Sequence, residues 1–320
     1  MNNINDSQNT EKQIRRLAAQ RQYYANAKEY SAIRFLGSII IPTILALICL
    51  FIPAIAAYAG LYSIVFLLVD VVFLEKRISI SKRKAERIQE MFDCDVLDLP
   101  ASILELQTEV YDEDIMEHSN LYLERMRSFH DLENWYAPAI HLVDISAARI
   151  LCQKGNVHWD ATIRKAFTGW VKLLAYMMFG IVLLVGLIAK LPFSAVILIL
   201  NSLLPLVRYS SRESIDNDNA CRRLESLRII FEAAWKQATA HTMNSRVLLA
   251  LSRAAQDVLF AHRTESPLIP DWVFQRSRSK NESIMKQTTL EQITELKEAT
   301  SKVHASVTSS KPRAQRQGKK

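Results

Sequence analysis

Two long apolar blocks alternate with polar, charged stretches along the chain. Phe35 to Val69 contains no charged side chain, and Leu173 to Val207 contains one, Lys190. A bilayer core about 30 Å thick needs about 20 apolar residues in a helix that rises about 1.5 Å per residue. Each block is too long for one crossing and long enough for two. We therefore predict four transmembrane helices arranged as two hairpins.

The residues that interrupt each block predict the turns of the hairpins. Pro53 interrupts the first block, and Lys190 to Pro192 interrupt the second. The chain is thus predicted to be an all-α integral membrane protein with helical cytoplasmic regions between and after the hairpins. Its predicted parts are a cytoplasmic N-terminal helix (1–34), hairpin 1 (35–74), a cytoplasmic helical region (75–166), hairpin 2 (167–207), a C-terminal cytoplasmic helical region (208–295) and a disordered basic tail (296–320).

Positive charge predicts the orientation of the hairpins, because Lys and Arg beside short loops resist translocation. Six Lys or Arg residues precede the first span and six lie between 75 and 87, whereas Lys190 stands alone on the opposite side. Both termini are therefore expected in the cytoplasm. Most of the net charge of +7 is juxtamembrane, where it attracts anionic lipid. The lipid bilayer is the expected partner, and a nucleic-acid polymer is not.

Helical periodicity continues outside the apolar blocks. Apolar spacing predicts helices over 76–92, 112–127 and 138–155, and Asn156 could cap a further helix that leads into hairpin 2. After hairpin 2, an apolar stripe alternates spacings of four and three, which is typical of packed helix pairs. The stripe consists of Ala220, Leu224, Leu227, Phe231, Ala234 and Ala238. It could fill the core of one antiparallel helix pair or form a seam between subunits. A last short helix is predicted over 271–280.

The chain lacks the motifs of common catalytic sites. Its sequence has no Gly-rich phosphate loop, GxSxG, HExxH or paired CxxC, and its seven His and four Cys residues are scattered. Asp93, Asp95 and Asp98 are interpreted as helix-stop and turn residues. We therefore expect neither enzymatic activity nor a cofactor or metal. Because residues 1–34 are polar, we also expect no signal peptide.

Three polar residues within the hairpins are candidates for lining a pore. A charge at the bilayer centre costs about 2.5–3.5 kcal/mol, so it usually faces protein or water. Asp70 carries such a charge, although a position five residues before Glu75 equally suits the cytoplasmic interface. Asn201 and Ser202 lie near the middle of the last span, where hydrogen bonds between helices are the simpler interpretation.

Four segments carry a resemblance to a known family. They are LAAQRQYYANAK (17–28), MFDCDVLDLP (91–100), ARILCQKGNVHWD (148–160) and SPLIPDW (266–272). In this order they resemble the SMODS-associating four-transmembrane effector family. The resemblance implies a pore-forming effector of bacterial antiphage defence, associated with a cGAS-like nucleotidyltransferase, that damages the inner membrane and kills the cell when a cyclic nucleotide is made.

A pore requires several subunits, because four tightly packed spans enclose no aqueous path. A homo-oligomer is therefore expected. Two other classes of function stay open on the sequence. A constitutive channel or transporter would show steady solute flux, and a membrane scaffold would recruit partners through its cytoplasmic helices.

A cyclic oligonucleotide ligand would need cations for its phosphates and flat rings for its bases. The residues that could supply them are Trp135, Tyr136, Arg149, His158, Trp159, Arg164, Trp272 and Arg276. Each aromatic residue among them is more often a core anchor than a stacking platform.

Overall fold

The computed structural model describes residues 2–102, 109–190, 192–240 and 244–309, and these form helices and connecting loops without a β-strand. The N-terminal half is one long hairpin. Its elements are α1 (Ile4–Gln8), α2 (Glu11–Phe35), a π-helical segment (Leu36–Ile40), α3 (Ile41–Phe51), a 3-10 turn (Pro53–Ile55), α4 (Ala56–Val69), a second π-helical segment (Asp70–Leu74) and α5 (Glu75–Val96). The predicted turn at Pro53 is confirmed.

The two arms of this hairpin extend far beyond its apolar end. Glu11–Cys49 is one continuous helix of 39 residues, and Pro53–Val96 is another of 44. At about 1.5 Å per residue each arm is roughly 60 Å long, twice the thickness of a bilayer core. The polar halves, α2 and α5, pack against each other along their length. The apolar halves of these helices can thus cross a membrane. The polar halves, α2 and α5, belong to the helical part of the molecule beside the membrane, which we call the head.

Helix α6 (Asp112–Met126) matches the prediction over 112–127, whereas the predicted helix over 138–155 is wrong at both ends. Pro138–Leu142 is a 3-10 turn, and α7 runs unbroken from Ile145 to Ile188. Asp144 caps α7 by accepting hydrogen bonds from two backbone N–H groups, at 2.9 and 3.3 Å. Gly155 does not end the helix but lies within α7, where a Cβ would stand 3.8 Å from Met285 Sδ, and Asn156 lies within α7 as well and does not cap it.

Helices α7, α8 (Phe193–Ser202) and α9 (Leu204–Thr239) form a second long hairpin. Its turn lies at Lys190, which has a left-handed backbone with φ of 50°. This agrees with the predicted turn, although Leu191 lies outside the described residues. Helices α8 and α9 meet at a bend of 48°. Pro205 explains the bend, because its ring displaces the carbonyl one turn earlier and it has no N–H to donate.

The stripe predicted on α9 is buried inside the chain. Five of its six residues belong to the main core of the head, together with residues of α7 and of α10 (Ser245–Glu265), and the sixth, Ala220, is buried as well. This supports the intramolecular interpretation of the stripe. The last helix, α11, runs from Asp271 to Ser309, so the predicted short helix over 271–280 is wrong. The predicted tail begins inside α11, and 310–320 lie outside the described residues.

The apolar ends of both hairpins pack together in a separate cluster. Ile39 and Ala56 from hairpin 1 contact residues of hairpin 2 in this cluster, including Met178, Ile199 and Leu206. Two described helices are long and apolar enough to cross a membrane, and the bent pair α8 and α9 would be a third. The apolar part of α7, Tyr176–Ile188, is shorter. The prediction of an all-helical protein with apolar helices of membrane-spanning length is confirmed.

Candidate functional site

Two of the predicted pore residues join the hairpins. Ser202 is fully buried, its hydroxyl donates to the Ile199 carbonyl at 2.6 Å, and its carbonyl accepts the Ser63 hydroxyl at 2.9 Å. Asn201 lies over Gly60, with its Nδ2 3.2 Å from the place where a Cβ would stand. Gly60 therefore allows the close approach of α4 and α8. In this arrangement Asn201 and Ser202 make contacts between helices.

Asp70, the third pore candidate, is buried in a group of ion pairs. It opens the second π-helical segment, and its carboxylate pairs with Arg34 of α2. Its other oxygen lies 3.8 Å from Arg208 Nε of α9. Glu75, one π-turn later, contacts Arg212 at 2.6 Å. Asp70 thus lies at the junction of both hairpins with the head.

The predicted sensing residues Trp135 and Tyr136 lie in the core of the head. The Tyr136 hydroxyl donates to Asp93 Oδ1 at 2.7 Å. The Trp135 ring meets Phe92 edge to face, with 6.1 Å between ring centroids, and Arg21 lies over it. Burial and the charge of Asp93 hold the pKa of Tyr136 well above its ordinary value.

Two of the arginines that were predicted to bind a ligand donate hydrogen bonds to backbone carbonyls. Arg149 is buried and donates to the carbonyls of Leu97 and Asp98, each at 2.6 Å, where α5 ends. Arg164 is buried as well and donates to Asp160 at 3.0 Å and to the Pro267 carbonyl at 3.0 Å. Both guanidinium groups secure connections between helices.

The remaining sensing candidates are distributed along α7 and α11. His158 and Arg276 are exposed, and Trp159 is half-buried beside Ile163 and Val273. Trp272 lies in the first turn of α11, but its side chain lies outside the described residues. The structure does not gather the eight candidates around one described cavity. An open cavity of about 660 Å³ beside α11 is lined by other residues: Leu142, Val143, Asp144, Leu296, Lys297, Thr300 and Ser301.

A buried charged seam, formed by α5, α7 and α10, was missed by the sequence analysis. Glu86, Glu90 and Asp93 occupy positions i, i+4 and i+7 of α5, and each is at most 2 % exposed. Asp93 accepts from Arg263 at 2.7 Å, and Glu90 accepts from Arg253 at 2.7 Å. The seam therefore places charge within the packing of three helices.

A buried amide connects two of the three carboxylates of the seam, and a second amide supports it. Gln256 donates to Glu90 at 2.8 Å and to Asp93 at 3.0 Å. Its own carbonyl oxygen accepts from Gln153 of α7 at 2.9 Å. Such a network is stable while every member is paired, and it is costly when one member is lost.

Burial shifts the ionisation of groups in and beside the seam. It raises the pKa of Glu86 to about 7 and lowers the pKa of Lys82 to about 8. Burial and the charge of Asp93 raise the pKa of Glu90. The repeat of acids at spacings of four and three was visible in the sequence. Its partners on α10 were not, because they lie more than 150 residues away.

Asp160, His262 and Ser266 combine the residue types of a hydrolase triad. His262 Nε2 lies 2.7 Å from Asp160, but Ser266 Oγ lies at nearly equal distances, 3.3 and 3.4 Å, from both ring nitrogens. It donates instead to the His262 carbonyl at 2.6 Å. A base must receive the proton of the nucleophile at one nitrogen. This geometry is that of a helix C-terminus rather than of a nucleophile and its base.

Two long hairpins with apolar ends and a charged helical head define the class as a helical, membrane-associated protein. The family model of the SMODS-associating 4TM effector domain matches residues 2–292, so the chain belongs to that family. The resemblance carried by the four sequence segments is thereby confirmed.

A similar protein is known from Bacillus cereus (strain VD146). It is 22 % identical over 290 residues, covering 88 % of this chain and 95 % of the relative, and it is described as a probable CBASS effector molecule. No solved structure matches the chain.

Proposed function

We propose that this protein is a membrane-damaging effector of CBASS, the antiphage defence based on cyclic oligonucleotides, and that its action kills the infected cell. One observation carries the proposal: the apolar ends of two long helical hairpins pack together, and their polar halves form one head. Membership of an effector family and the description of the Bacillus cereus relative support the biological setting.

The proposed topology has four crossings of the bacterial inner membrane and both termini in the cytoplasm. Asn2 donates to the carbonyls of Ile140 and Val143, at 2.8 and 2.9 Å. Leu296, near the other end of the chain, lines the same cavity as Val143. Both ends of the described chain thus belong to the head, as expected when the polypeptide crosses an even number of times.

The described residues of the two hairpins are closely packed in the proposed membrane region. Ser63 with Ser202 and Gly60 with Asn201 are close contacts between the two hairpins. Close-packed helices fill the centre of a four-helix bundle. We therefore propose that damage requires a homo-oligomer in which the hairpins rearrange, with Asp70, Asn201 and Ser202 as candidates for the surface exposed by that change.

A cyclic oligonucleotide from a cGAS-like nucleotidyltransferase is the proposed trigger, acting through the head. The buried seam between α5, α7 and α10 is suited to respond, because its ion pairs join packed helices and a shift of one helix would break them. Among the sensing candidates, His158 and Arg276 are exposed to a ligand in the resting arrangement.

Reconstitution tests the proposal directly. The full chain is purified in detergent and placed in phosphatidylethanolamine and phosphatidylglycerol vesicles loaded with a self-quenching dye. A panel of cyclic di- and trinucleotides is then added, and inducible expression in bacteria is followed with a membrane-potential dye. We expect dye release with one nucleotide, and expression that kills with loss of potential.

Other outcomes would contradict the effector proposal. Steady solute flux without killing would indicate a constitutive channel or transporter. Neither dye release nor depolarisation, under any condition of the panel, would indicate a scaffold.

A further inference from the structure

We propose that the ion pairs between the two hairpins, at the boundary of the apolar bundle and the head, form a latch that keeps the hairpins together. The latch consists of Arg34, Asp70, Glu75, Arg208 and Arg212. Opening its contacts between hairpins is the step that allows the apolar ends to separate. This inference rests on the proposed function and adds the contacts that control when the hairpins separate.

The latch residues come from three helical segments. Arg34 lies in the last turn of α2, Asp70 and Glu75 lie where α4 continues into α5, and Arg208 and Arg212 lie on α9. Glu75 bridges the hairpins, with its Oε2 2.6 Å from Arg212 Nη1 and 3.5 Å from Arg208 Nη2. Within hairpin 1, Arg34 pairs with Asp70 and its Nη2 lies 3.9 Å from Glu75.

The π-helical segment makes this arrangement possible. In an α-helix, residues five apart point about 140° away from each other. Here the N–H of Glu75 bonds to the carbonyl of Asp70, an i to i+5 hydrogen bond that stacks the two residues. Both carboxylates thus face Arg208 and Arg212, which lie one α-turn apart on α9. π-Helical turns of this kind occur frequently at functional sites.

The latch combines a buried ion pair within hairpin 1 with more exposed ion pairs between the hairpins. Arg34 and Asp70 are both more than nine-tenths buried, and they pair within hairpin 1. The side chains of Glu75, Arg208 and Arg212 are 33–42 % exposed. Buried pairs are costly to break at one end, whereas exposed pairs are weak. The contacts between hairpins therefore open first, and each hairpin stays intact while it moves.

The hydrogen bonding of the latch is incomplete in the resting arrangement. Three guanidinium groups face the two carboxylates of the latch, and Arg212 Nε also lies 3.7 Å from Asp216 of α9. Among the described residues, the buried Nε of Arg208 and Nη2 of Arg34 have no hydrogen-bond partner. Such a cluster is held by charge without full hydrogen bonding, so a small change in the relative position of the hairpins releases it.

A charge-reversal cycle tests the latch. Glu75→Arg, Arg212→Glu and the double variant are reconstituted in dye-loaded vesicles of the composition given above, with no nucleotide added. Each single reversal replaces attraction by repulsion, and we expect spontaneous dye release roughly tenfold faster than for the wild type. The double variant restores one opposite pair but leaves the new arginine facing Arg208 and Arg34, so its release should be slower than that of either single variant and faster than that of the wild type.

Controls separate the latch from general damage to the fold. Arg228→Glu reverses an arginine of the same helix that pairs with Glu225 in the head, and it should release dye at the wild-type rate. Where a reversal lowers the amount of folded protein, Glu75→Gln and Arg212→Gln are measured at matched helical content, with the same direction of change expected.

Two results overturn the latch. If the single reversals and the neutral variants leak no faster than the wild type, while nucleotide still releases dye from the wild type, the latch is wrong and the proposed function stands. If the double variant leaks as fast as the single ones, the pairing is not the cause. Failure of all forms to leak or to depolarise cells would refute the proposed function together with the latch.

Discussion

Single residues in the head carry charge in places where burial opposes it. Glu86 is 2 % exposed and accepts a hydrogen bond from the Tyr24 hydroxyl. Its second oxygen is buried without a hydrogen-bond partner among the described residues. Burial is therefore the leading cause that raises the pKa of Glu86 to about 7.

Glu86→Gln is expected to change how stability depends on pH. Because the folded pKa of about 7 exceeds the ordinary value of 4.5, the folded chain keeps a proton that the unfolded chain has released. The contribution of Glu86 is complete below pH 4.5 and is lost as pH rises to 7. The variant should be more stable than the wild type at pH 8, by at most on the order of 3 kcal/mol.

Thermal unfolding in detergent at pH 5 and pH 8 measures the effect of Glu86→Gln. Glu113→Gln, which changes an exposed carboxylate of α6, is the control. Equal shifts for both variants between the two pH values would contradict the assignment.

Gly37→Ala is expected to loosen the apolar bundle. A Cβ on Gly37 would stand 2.0 Å from two carbons of the Phe66 ring, so the ring must move, and overpacking of this kind costs about 1–3 kcal/mol. Gly180 is the matched control, because no described heavy atom lies within 4 Å of its Cβ position. Melting temperatures should fall for Gly37→Ala only, because Ala favours a helix more than Gly does where there is no clash, and an equal fall for Gly180→Ala would show that the contact with Phe66 is not the cause.

At the scale of elements, α5 and α10 are held together by the buried seam. Arg263→Met leaves Asp93 without its closest cation, which lies 2.7 Å away in the native chain. Removal of one partner of a buried pair costs about 3–5 kcal/mol. Arg228→Met removes an exposed pair on α9 and should cost no more than about 1 kcal/mol. Denaturant unfolding in detergent compares them, and similar costs would mean that the seam contributes little to the head.

Other elements show which sequence patterns predict the structure correctly. Pro53 and Lys190 were recognised as turns because apolar helices of known length must reverse there. Gly155 and Pro138 were misinterpreted as helix ends, because the same residues are tolerated inside or before a helix when neighbours pack against them. The stripe from Ala220 to Ala238 was predicted correctly as a buried face, since its spacing depends on the helix alone.

At the scale of the molecule, the two hairpins predict a common compartment for both termini. GFP fused before Asn2 or after Lys320 should fluoresce, as it does in the cytoplasm. Alkaline phosphatase inserted at Lys190 should be active, because it would lie outside the cytoplasm. The reason is the even number of crossings proposed above, with positive charge concentrated beside the head. Fusions that place the termini in different compartments would contradict the four-crossing topology.

The candidate site was less predictable than the fold. Asp70, Tyr136 and Arg149 were chosen for their chemical types, and the structure shows their partners. Asp70 pairs with Arg34, Tyr136 with Asp93, and Arg149 with backbone carbonyls. Whether a polar side chain is buried or accessible to a ligand depends on these partners, and one amino-acid sequence does not reveal them.

The sequence by itself determined where apolar stretches begin and end, where they turn and which family the chain belongs to, because these depend on local composition and order. Only the tertiary structure decided which charges meet. Arg263 reaches Asp93 from 170 positions away, and Glu75 reaches Arg212 across the two hairpins. Such pairs depend on how whole helices pack and on one π-helical turn, and no short stretch of sequence specifies either.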